Sequence, residues 1–320
     1  MTECTRACEP LKIGGVTLKN RFTLAPMAGY TDGAMRRLAA AAGAALTVTE
    51  MVSAKGLTYN GDKCAGLLIT SAEEQVTAVQ LFGHEPEFFF EAIKNLPYLD
   101  KFDIIDINMG CPVPKIVKSG EGSALIKNPR LASKIVRACT DASGGRPVTV
   151  KTRVGFFDGE DVSVDFCRML EDSGAAAITL HGRTRAMGYS GLSDWNAVER
   201  VKNAVKVPVI GSGDADDKNA FRLAGLADAV AVGRCAIGDP WIFSRMLGGE
   251  NRMSLCETLL THIQYMFDMY GDRYTYTNIR KHIGYYLRGI RGGKELKAAL
   301  YSVVGTKELI AAVKSALHGF

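Results

Sequence analysis

Short apolar stretches alternate with longer amphipathic stretches along most of the chain. Between residues 21 and 234 there are eight runs rich in aliphatic and β-branched residues, each about the length of one strand. The segments between them place apolar residues at helical spacing. The eight runs lie at residues 21–27, 45–51, 77–83, 103–110, 147–155, 175–182, 207–213 and 228–234.

One of the intervening segments, residues 129–142, shows the helical pattern. Leu131, Ile135, Val136 and Cys139 recur at i, i+4, i+5 and i+8, so they share one face of a helix. Strands that alternate with helices predict parallel strands joined by right-handed crossovers. Eight such units predict an α/β fold, a (β/α)8 TIM barrel. A doubly wound open sheet is the alternative, but no predicted strand is followed by G-x-G-x-x-G.

The pattern changes after Arg234. From about residue 253 strand alternation is absent, and the spacing predicts three or four helices. We therefore divide the chain into a barrel domain, residues 1–248, and a small C-terminal all-helical domain, residues 249–320.

Composition is that of an ordinary globular protein, with 47% hydrophobic and 23% charged residues in a length of 320. No apolar run reaches the roughly 18–20 residues that span a bilayer, and the first ten residues lack a signal-peptide core. The eight cysteines include no C-x-x-C pair. We therefore expect a cytoplasmic protein with reduced thiols and no structural metal, Cys4 and Cys8 of the polar leader included.

Polar residues gather where the predicted strands end, which is where a barrel of this type carries its chemistry. Lys151 lies within an apolar strand, so it either snorkels to solvent or meets an anionic or electron-rich partner. His181 alone would be read as a core histidine, but the Gly-Arg-Thr-Arg that follows favours a binding role. The turns after the last two strands, GSGD at 211–214 and GRC at 233–235, suit a phosphate group.

Cys111 follows the fourth run, in the stretch INMGCPVPK at residues 107–115. Pro112 and Pro114 stiffen its loop, because each fixes φ and removes an N–H donor. Asn108, three residues earlier, is placed to orient a ligand. A free cysteine is more often a small buried hydrophobic residue. The rigid loop at the functional rim favours a working role for this one.

Eight motifs, taken together and in order, resemble the tRNA-dihydrouridine synthases. No single motif is specific, whereas eight in the order of the family are. They are APMAGYTD at 25–32, VQLFG at 79–83, DINMGCPVPK at 106–115, GSAL at 122–125, VKTRVG at 150–155, HGRTR at 181–185, GSGD at 211–214 and VGRCAIGDPWIF at 232–243. The tail piece IRKHIGYYLRG at 279–289 resembles the bacterial B-type branch.

The resemblance implies NADPH-dependent reduction of the C5–C6 double bond of specific uridines in tRNA, with FMN as bound cofactor. It implies a hydride from the flavin to C6 and a proton from Cys111 to C5. Asn108 and Arg183 fall on positions that face the flavin or the uracil. The residues on FMN-binding positions are Pro26, Met27, Ala28, Gln80, Lys151, His181, Ser212, Gly213, Asp214, Gly233 and Arg234.

Two details qualify these roles. Ser212 stands where the family usually has asparagine, so a side-chain contact there changes while backbone contacts do not. An acid must keep its proton, so we expect the thiol pKa of Cys111 not to be strongly depressed from its usual value of about 8.5.

Positive charge is concentrated near the C-terminus. The net charge is +5, and residues 250–320 hold ten Lys and Arg against six Asp and Glu, a surplus of +4. Taken as one helix, residues 278–291 have an apolar face and a basic face. We expect the basic face to contact the tRNA backbone, the alternative being a solvated basic helix. That face consists of Arg280, Lys281, Arg288 and Arg291.

Two other functions compete with this one. An FMN barrel of the dihydroorotate or dihydropyrimidine dehydrogenase kind would share the flavin site and act on free pyrimidines, but the basic tail and HGRTR disfavour it. A tRNA-binding or folding factor without catalysis is disfavoured by the presence of Cys111 and Lys151. For the enzyme we expect a monomer that does not bind membranes.

Overall fold

The computed structural model describes residues 8–318, so Cys4 of the leader lies outside the described residues. Within that range the chain forms eleven strands. They are β1 Leu11–Ile13, β2 Val16–Leu18, β3 Phe22–Leu24, β4 Leu46–Val48, β5 Val52–Ser53, β6 Thr77–Phe82, β7 Ile104–Asn108, β8 Val148–Arg153, β9 Ala177–His181, β10 Val209–Ser212 and β11 Ala229–Val232.

Eight of these strands form a closed parallel barrel. They pair in the order β4-β3-β11-β10-β9-β8-β7-β6, and β4 pairs with β6 to close the ring. The two-residue strand β5 extends the sheet beside the end of β6. Each barrel strand lies within one of the eight predicted runs, which confirms the (β/α)8 TIM barrel. The open-sheet alternative is wrong, because ring closure leaves the barrel without a free edge.

Helices surround the barrel and continue into the C-terminal segment. Among residues 8–318 no helix has both the length and the apolar composition of a membrane span. The helices are α1 Gly33–Ala41, α2 Ala54–Cys64, α3 Pro86–Asn95, α4 Pro114–Lys118, α5 Pro129–Ala142, α6 Ser163–Asp172, α7 Trp195–Lys202, α8 Ala220–Leu226, α9 Ile242–Met246, α10 Leu255–Tyr286, α11 Gly293–Ser302 and α12 Thr306–Ala316.

Helix α5 shows how the local sequence sets these boundaries. Asn128 caps its start, because its Oδ1 accepts a hydrogen bond from the N–H of Leu131. Ile135, Val136 and Cys139 are fully buried, while Leu131 packs at the edge of the core. The helix and the face predicted from the apolar spacing are therefore confirmed.

The antiparallel hairpin of β1 and β2 covers the amino-terminal end of the barrel. Ile13 and Leu18 are fully buried in an apolar cluster with the first residues of several barrel strands. The interior can therefore be reached only from the carboxyl ends of the strands. The strand residues in this cluster include Leu46, Ile104, Ala177 and Ala229.

The C-terminal helices share one apolar core with the barrel helix α1, to which Ala34 contributes. Helix α10 begins with a capping box of Ser254 and Glu257. It bends at Gly271, where φ is 77° and ψ is 177°. The bend divides α10 into two halves, so the segment has four helical stretches, within the predicted range. The domain boundary between residues 248 and 249 stays a prediction.

The prediction of one helix over residues 278–291 is wrong in its last part. Helix α10 ends at Tyr286, and Gly289 in the following turn has a φ of 80°. A residue in the left-handed region cannot continue a helix. The four basic residues therefore do not share one helical face. Arg280 and Lys281 lie in the helix, and Arg288 and Arg291 follow it.

Candidate active site

Polar side chains fill the barrel interior near the carboxyl ends of the strands. The register places Gln80 beside Asp106, and Asp106 beside Thr149. Two residues further along β7, Asn108 lies beside Lys151 of β8. Alternate residues of a strand face the same side, so Asp106 and Asn108 both point into the barrel. The interior is thus built for polar contacts at this end.

Burial shifts both charged groups of this interior toward their neutral forms. Asp106 accepts hydrogen bonds from Gln80 Nε2 and Thr149 Oγ1, each at 2.6 Å, yet burial raises its pKa to about 6. Burial, assisted by Arg153, lowers the pKa of Lys151 to about 8. Lys151 is therefore mostly charged at neutral pH. A cation held here favours an anionic or electron-rich ligand.

Hydrogen bonds fix the loop that carries Cys111 on both sides. Asn108 Oδ1 accepts from the N–H groups of Gly110 at 3.2 Å and of Cys111 at 2.9 Å. The carbonyl oxygen of Cys111 accepts from the hydroxyl of Ser123 at 2.8 Å and from its N–H at 3.1 Å. Burial raises the pKa of the Cys111 thiol above its ordinary value. The thiol therefore keeps its proton at neutral pH, in the direction expected of an acid.

Gly122 lets the next turn lie directly against this loop. Its φ is +58°, and a Cβ atom there would lie 3.0 Å from both the Cβ and the carbonyl oxygen of Cys111. Only glycine combines that backbone conformation with that approach.

Arg153, at the end of β8, joins two loops of the rim. It is buried, and its Nε donates to the carbonyl of Gly110 at 2.7 Å. Its Nη1 donates to the carbonyls of Thr184 at 3.0 Å and Gly188 at 2.9 Å. The loop of Cys111 and the loop after β9 are therefore held by one guanidinium.

His181 ends β9 as a neutral ring with a fixed proton. Its Nδ1 accepts from the N–H of Arg183 at 3.2 Å, so the ring proton lies on Nε2. Burial lowers the pKa of His181 well below its usual value, and Lys151, Arg153, Arg183 and Arg234 lower it further. Positive charge near His181 therefore favours its neutral ring, and two of these cations, Arg183 and Arg234, also pair with the carboxylate of Asp214.

Most N–H donors of Arg183 bind acceptors within the protein. Its Nη2 donates to both carboxylate oxygens of Asp214, at 2.8 and 2.7 Å, and its Nε donates to the carbonyl of Ser190 at 3.0 Å. Asp214 also lies 3.6 Å from a guanidinium nitrogen of Arg234. The Nη1 of Arg183 is buried and has no hydrogen-bond partner among residues 8–318. This donor is available to a ligand.

The turns after β10 and β11, predicted to hold a phosphate group, differ in the space around them. Gly213 and Asp214 both have positive φ angles, 112° and 56°. A Cβ atom at Gly213 would collide with the Ser193 hydroxyl. At Gly233 the nearest atom to a Cβ would be Met27 Sδ at 3.8 Å, so the space above that turn is open.

The fold brings together the residues that the resemblance assigns to FMN. Ser212, in place of the usual asparagine, is buried and lies beside His181 in the register. Whether each residue contacts the cofactor stays a prediction, but the donors and cations fit it. They stand on six strands or directly after them: Pro26, Met27 and Ala28 after β3, Gln80 in β6, Lys151 in β8, His181 in β9, Ser212, Gly213 and Asp214 at β10, and Gly233 and Arg234 after β11.

Two of the basic tail residues lie within α10 but point to different places. The ammonium of Lys281 lies 5.9 Å from the ring centre of Tyr30, in the loop after β3 at the barrel mouth. Arg280 is turned into the C-terminal helices, where its Nη2 donates to the carbonyl of Val303 at 3.2 Å.

The other two basic tail residues follow the helix. Arg288 lines a cleft of about 370 Å³ together with Arg234 and Tyr285. Its guanidinium carbon lies 4.5 Å from the ring centre of Tyr285. Arg291 is exposed. The cleft therefore continues the cationic end of the site toward the C-terminal helices.

Sequence reasoning assigned no role to several residues of this site, among them Arg153. Asp106 carries a detectable signal, because it is a carboxylate within an apolar strand and two residues before Asn108. Gly122 and Ser123 belong to a quoted motif, but their contact with Cys111 forms only when the loop folds back.

The fold places the protein in the class of TIM barrels. The fold is similar to that of histamine dehydrogenase from Rhizobium sp. 4-9, with a TM-score of 0.61 and 15% identity over 82% of this chain and 51% of that chain. It is also similar to morphinone reductase, with a TM-score of 0.56 and 17% identity over 76% of this chain and 90% of that chain.

The family follows from the sequence comparisons. A family model described as dihydrouridine synthase (Dus) matches residues 23–318. A probable tRNA-dihydrouridine synthase of Rickettsia conorii is 38% identical over 91% of each chain. The tRNA-dihydrouridine synthase B of Shewanella oneidensis is 37% identical, with 87% of this chain and 89% of that protein covered. The chain belongs to the dihydrouridine synthase family, which confirms the resemblance.

Proposed function

We propose that the protein is a tRNA-dihydrouridine synthase that reduces the C5–C6 double bond of uridine in tRNA, with FMN bound and NADPH as reductant. Family membership supports the reaction. The main structural support is the geometry around Cys111: Asn108 accepts from its N–H at 2.9 Å and lies beside Lys151 in the register of β7 and β8. We expect the enzyme to act in the cytoplasm.

The residues divide between the two ends of the cofactor. The turns at Gly213 and Gly233, with Arg234, would hold the phosphate. Lys151 would place its charge at the electron-rich edge of the flavin ring, and His181 Nε2 would donate a hydrogen bond. When bound and reduced by NADPH, FMN would supply the hydride that adds to C6 of the uracil.

Cys111 acts as the acid that completes the reduction. Its thiol gives a proton to C5 of the uracil, which needs the protonated form that burial favours. The free Nη1 of Arg183 and the second amide hydrogen of Asn108 are the donors available to hold the base. The target base must leave its stack to reach them.

Cys111→Ala tests this function. The variant should bind FMN, stay yellow and be reduced by NADPH at the wild-type rate. It should lose about 10²-fold or more of its uridine reduction, because the proton donor is missing. The measurement is dihydrouridine in unmodified tRNA by mass spectrometry, beside flavin absorbance.

Three outcomes would contradict the proposal. Normal tRNA turnover by Cys111→Ala would remove the acid role. A wild-type protein that reduces free uracil but not tRNA would be a pyrimidine dehydrogenase, and a colourless one that binds tRNA would be a binding factor.

A further inference from the structure

A chain of hydrogen bonds runs from the barrel interior to the loop of Cys111. Asp106 accepts from Thr149 Oγ1 at 2.6 Å through one oxygen and from Gln80 Nε2 at 2.6 Å through the other. Gln80 Oε1 accepts from Asn108 Nδ2 at 2.9 Å. Asn108 Oδ1 accepts from the N–H of Cys111 at 2.9 Å. Each link connects neighbouring strands or the end of β7.

The chain has only one possible direction. An ionised carboxylate accepts hydrogen bonds and cannot donate, so Gln80 must present its NH2 group to Asp106. The side-chain oxygen of Gln80 then faces Asn108, which must donate through its own NH2 group. The oxygen of Asn108 is left for the N–H of Cys111. A flipped Gln80 would set oxygen against carboxylate and nitrogen against N–H.

We propose that Asp106 is a positioning residue that orients the Cys111 loop by fixing the amide groups of Gln80 and Asn108. The inference rests on the proposed function, in which Cys111 delivers the proton. Asp106, Gln80 and Asn108 are respectively 4%, 1% and 8% exposed. Water therefore has little access to replace a lost partner, and an unpaired amide here is costly.

Thr149 makes a conservative variant informative. Its hydroxyl can donate or accept. In Asp106→Asn the new NH2 group can face Thr149 while the oxygen still accepts from Gln80, so the direction of the chain survives. In Asp106→Leu, a side chain of similar size, the acceptor is gone and Gln80 is released. If Asp106 acted through its negative charge near Lys151, both variants would fail alike.

The experiment uses the full chain loaded with FMN and follows reoxidation of the reduced flavin by unmodified tRNA in single turnover. We expect Asp106→Leu to slow this step by about 10- to 100-fold, the cost of misplacing a reacting group. Asp106→Asn should stay close to wild type. Asp103→Asn is the matched control, because Asp103 accepts a hydrogen bond from the N–H of Thr77 and is not part of the hydrogen-bond chain that leads to Cys111.

A second measurement needs neither FMN nor tRNA. The rate of alkylation of Cys111 by iodoacetamide, read by peptide mass spectrometry, should rise in Asp106→Leu and not in Asp106→Asn. Fully buried Cys139 reports unfolding in the same digest. Failure of the proposed function would appear as a wild-type enzyme inactive on tRNA, with this alkylation pattern intact.

Two results would overturn the proposal: Asp106→Leu identical to wild type in both measurements, or Asp106→Asn as impaired as Asp106→Leu. Should Asp106→Leu expose Cys139, the double variant Asp106→Asn with Thr149→Val replaces it. The Thr149 hydroxyl that accepts from the new NH2 group is then missing, so the double variant should be impaired although Asp106→Asn alone is not. If the double variant is still as active as wild type, the proposed role of the hydrogen-bond chain is wrong.

Discussion

At the scale of single residues, the position of Cys111 depends on contacts that leave no room for another atom. Gly122 lies against its loop, Ser123 of the same turn donates to its carbonyl oxygen, and Asn108 accepts from its N–H. A thiol that must reach one carbon of a bound base tolerates little displacement. The residues that surround it therefore affect the rate as directly as the thiol does.

Gly122→Ala should slow uridine reduction by about 10-fold or more, because the added methyl group pushes on the Cys111 loop. Gly120→Ala is the matched control. Gly120 also has a positive φ, +80°, but a Cβ atom there meets nothing within 4 Å. Both variants should lose stability in denaturant unfolding because of the positive φ, and Gly122→Ala should lose more because of the added contact. Equal activity of the two variants on tRNA would show that the contact with Cys111 is unimportant.

The residue types of the site were largely predictable from the sequence, whereas their partners were not. Lys151 and Asp106 are recognisable because a charge inside an apolar strand needs a reason. That Arg183 binds Asp214, or that Arg153 holds the carbonyls of Gly110 and Thr184, depends on which loops meet across the barrel rim. Spacing along one strand carries no information about such contacts.

At the scale of elements, short strands and helices were predictable because their periods differ, and helix ends were the weak point. The apolar spacing of α10 continues beyond Tyr286 to Ile290, so it could not mark the end of the helix. The left-handed conformation at Gly289 ends it instead. The sequence contained that glycine, but a glycine in a helical pattern does not reveal its own φ.

Helix α10 also depends on a glycine at its bend. Gly271 has φ 77° and ψ 177°, a region open almost only to glycine. Gly271→Ala should lower the free energy of unfolding by about 1–3 kcal/mol. Gly66→Ala, without a positive φ and with open space around it, should change it by about 0.5 kcal/mol or less.

The measurement for this pair is the midpoint of urea unfolding followed by circular dichroism, with the slope checked for two-state behaviour. Indistinguishable midpoints for Gly271→Ala and Gly66→Ala would mean that α10 straightens at no cost.

At the scale of the whole molecule, positive charge on the C-terminal segment should serve tRNA binding beside the barrel mouth. Arg288→Ala combined with Arg291→Ala should weaken tRNA binding. It should also make the negative slope of log affinity against log salt concentration shallower by about 1.5 to 2. Lys12→Ala with Lys19→Ala removes the same charge from the exposed face of the hairpin at the opposite end of the barrel.

Filter binding or fluorescence anisotropy across a salt titration measures both double variants. The hairpin variant should keep the wild-type slope. If the two variants weaken binding equally, net charge alone governs the affinity and the tail has no special role.

The hairpin has a consequence for the order in which the chain assembles. Ile13 and Leu18 precede one of their neighbours, Ala229 of the last barrel strand, by more than two hundred residues. On the ribosome the hairpin therefore has to wait for all of these residues before that contact can form. Its apolar side chains stay uncovered during that time, which makes them a binding site for a nascent-chain chaperone.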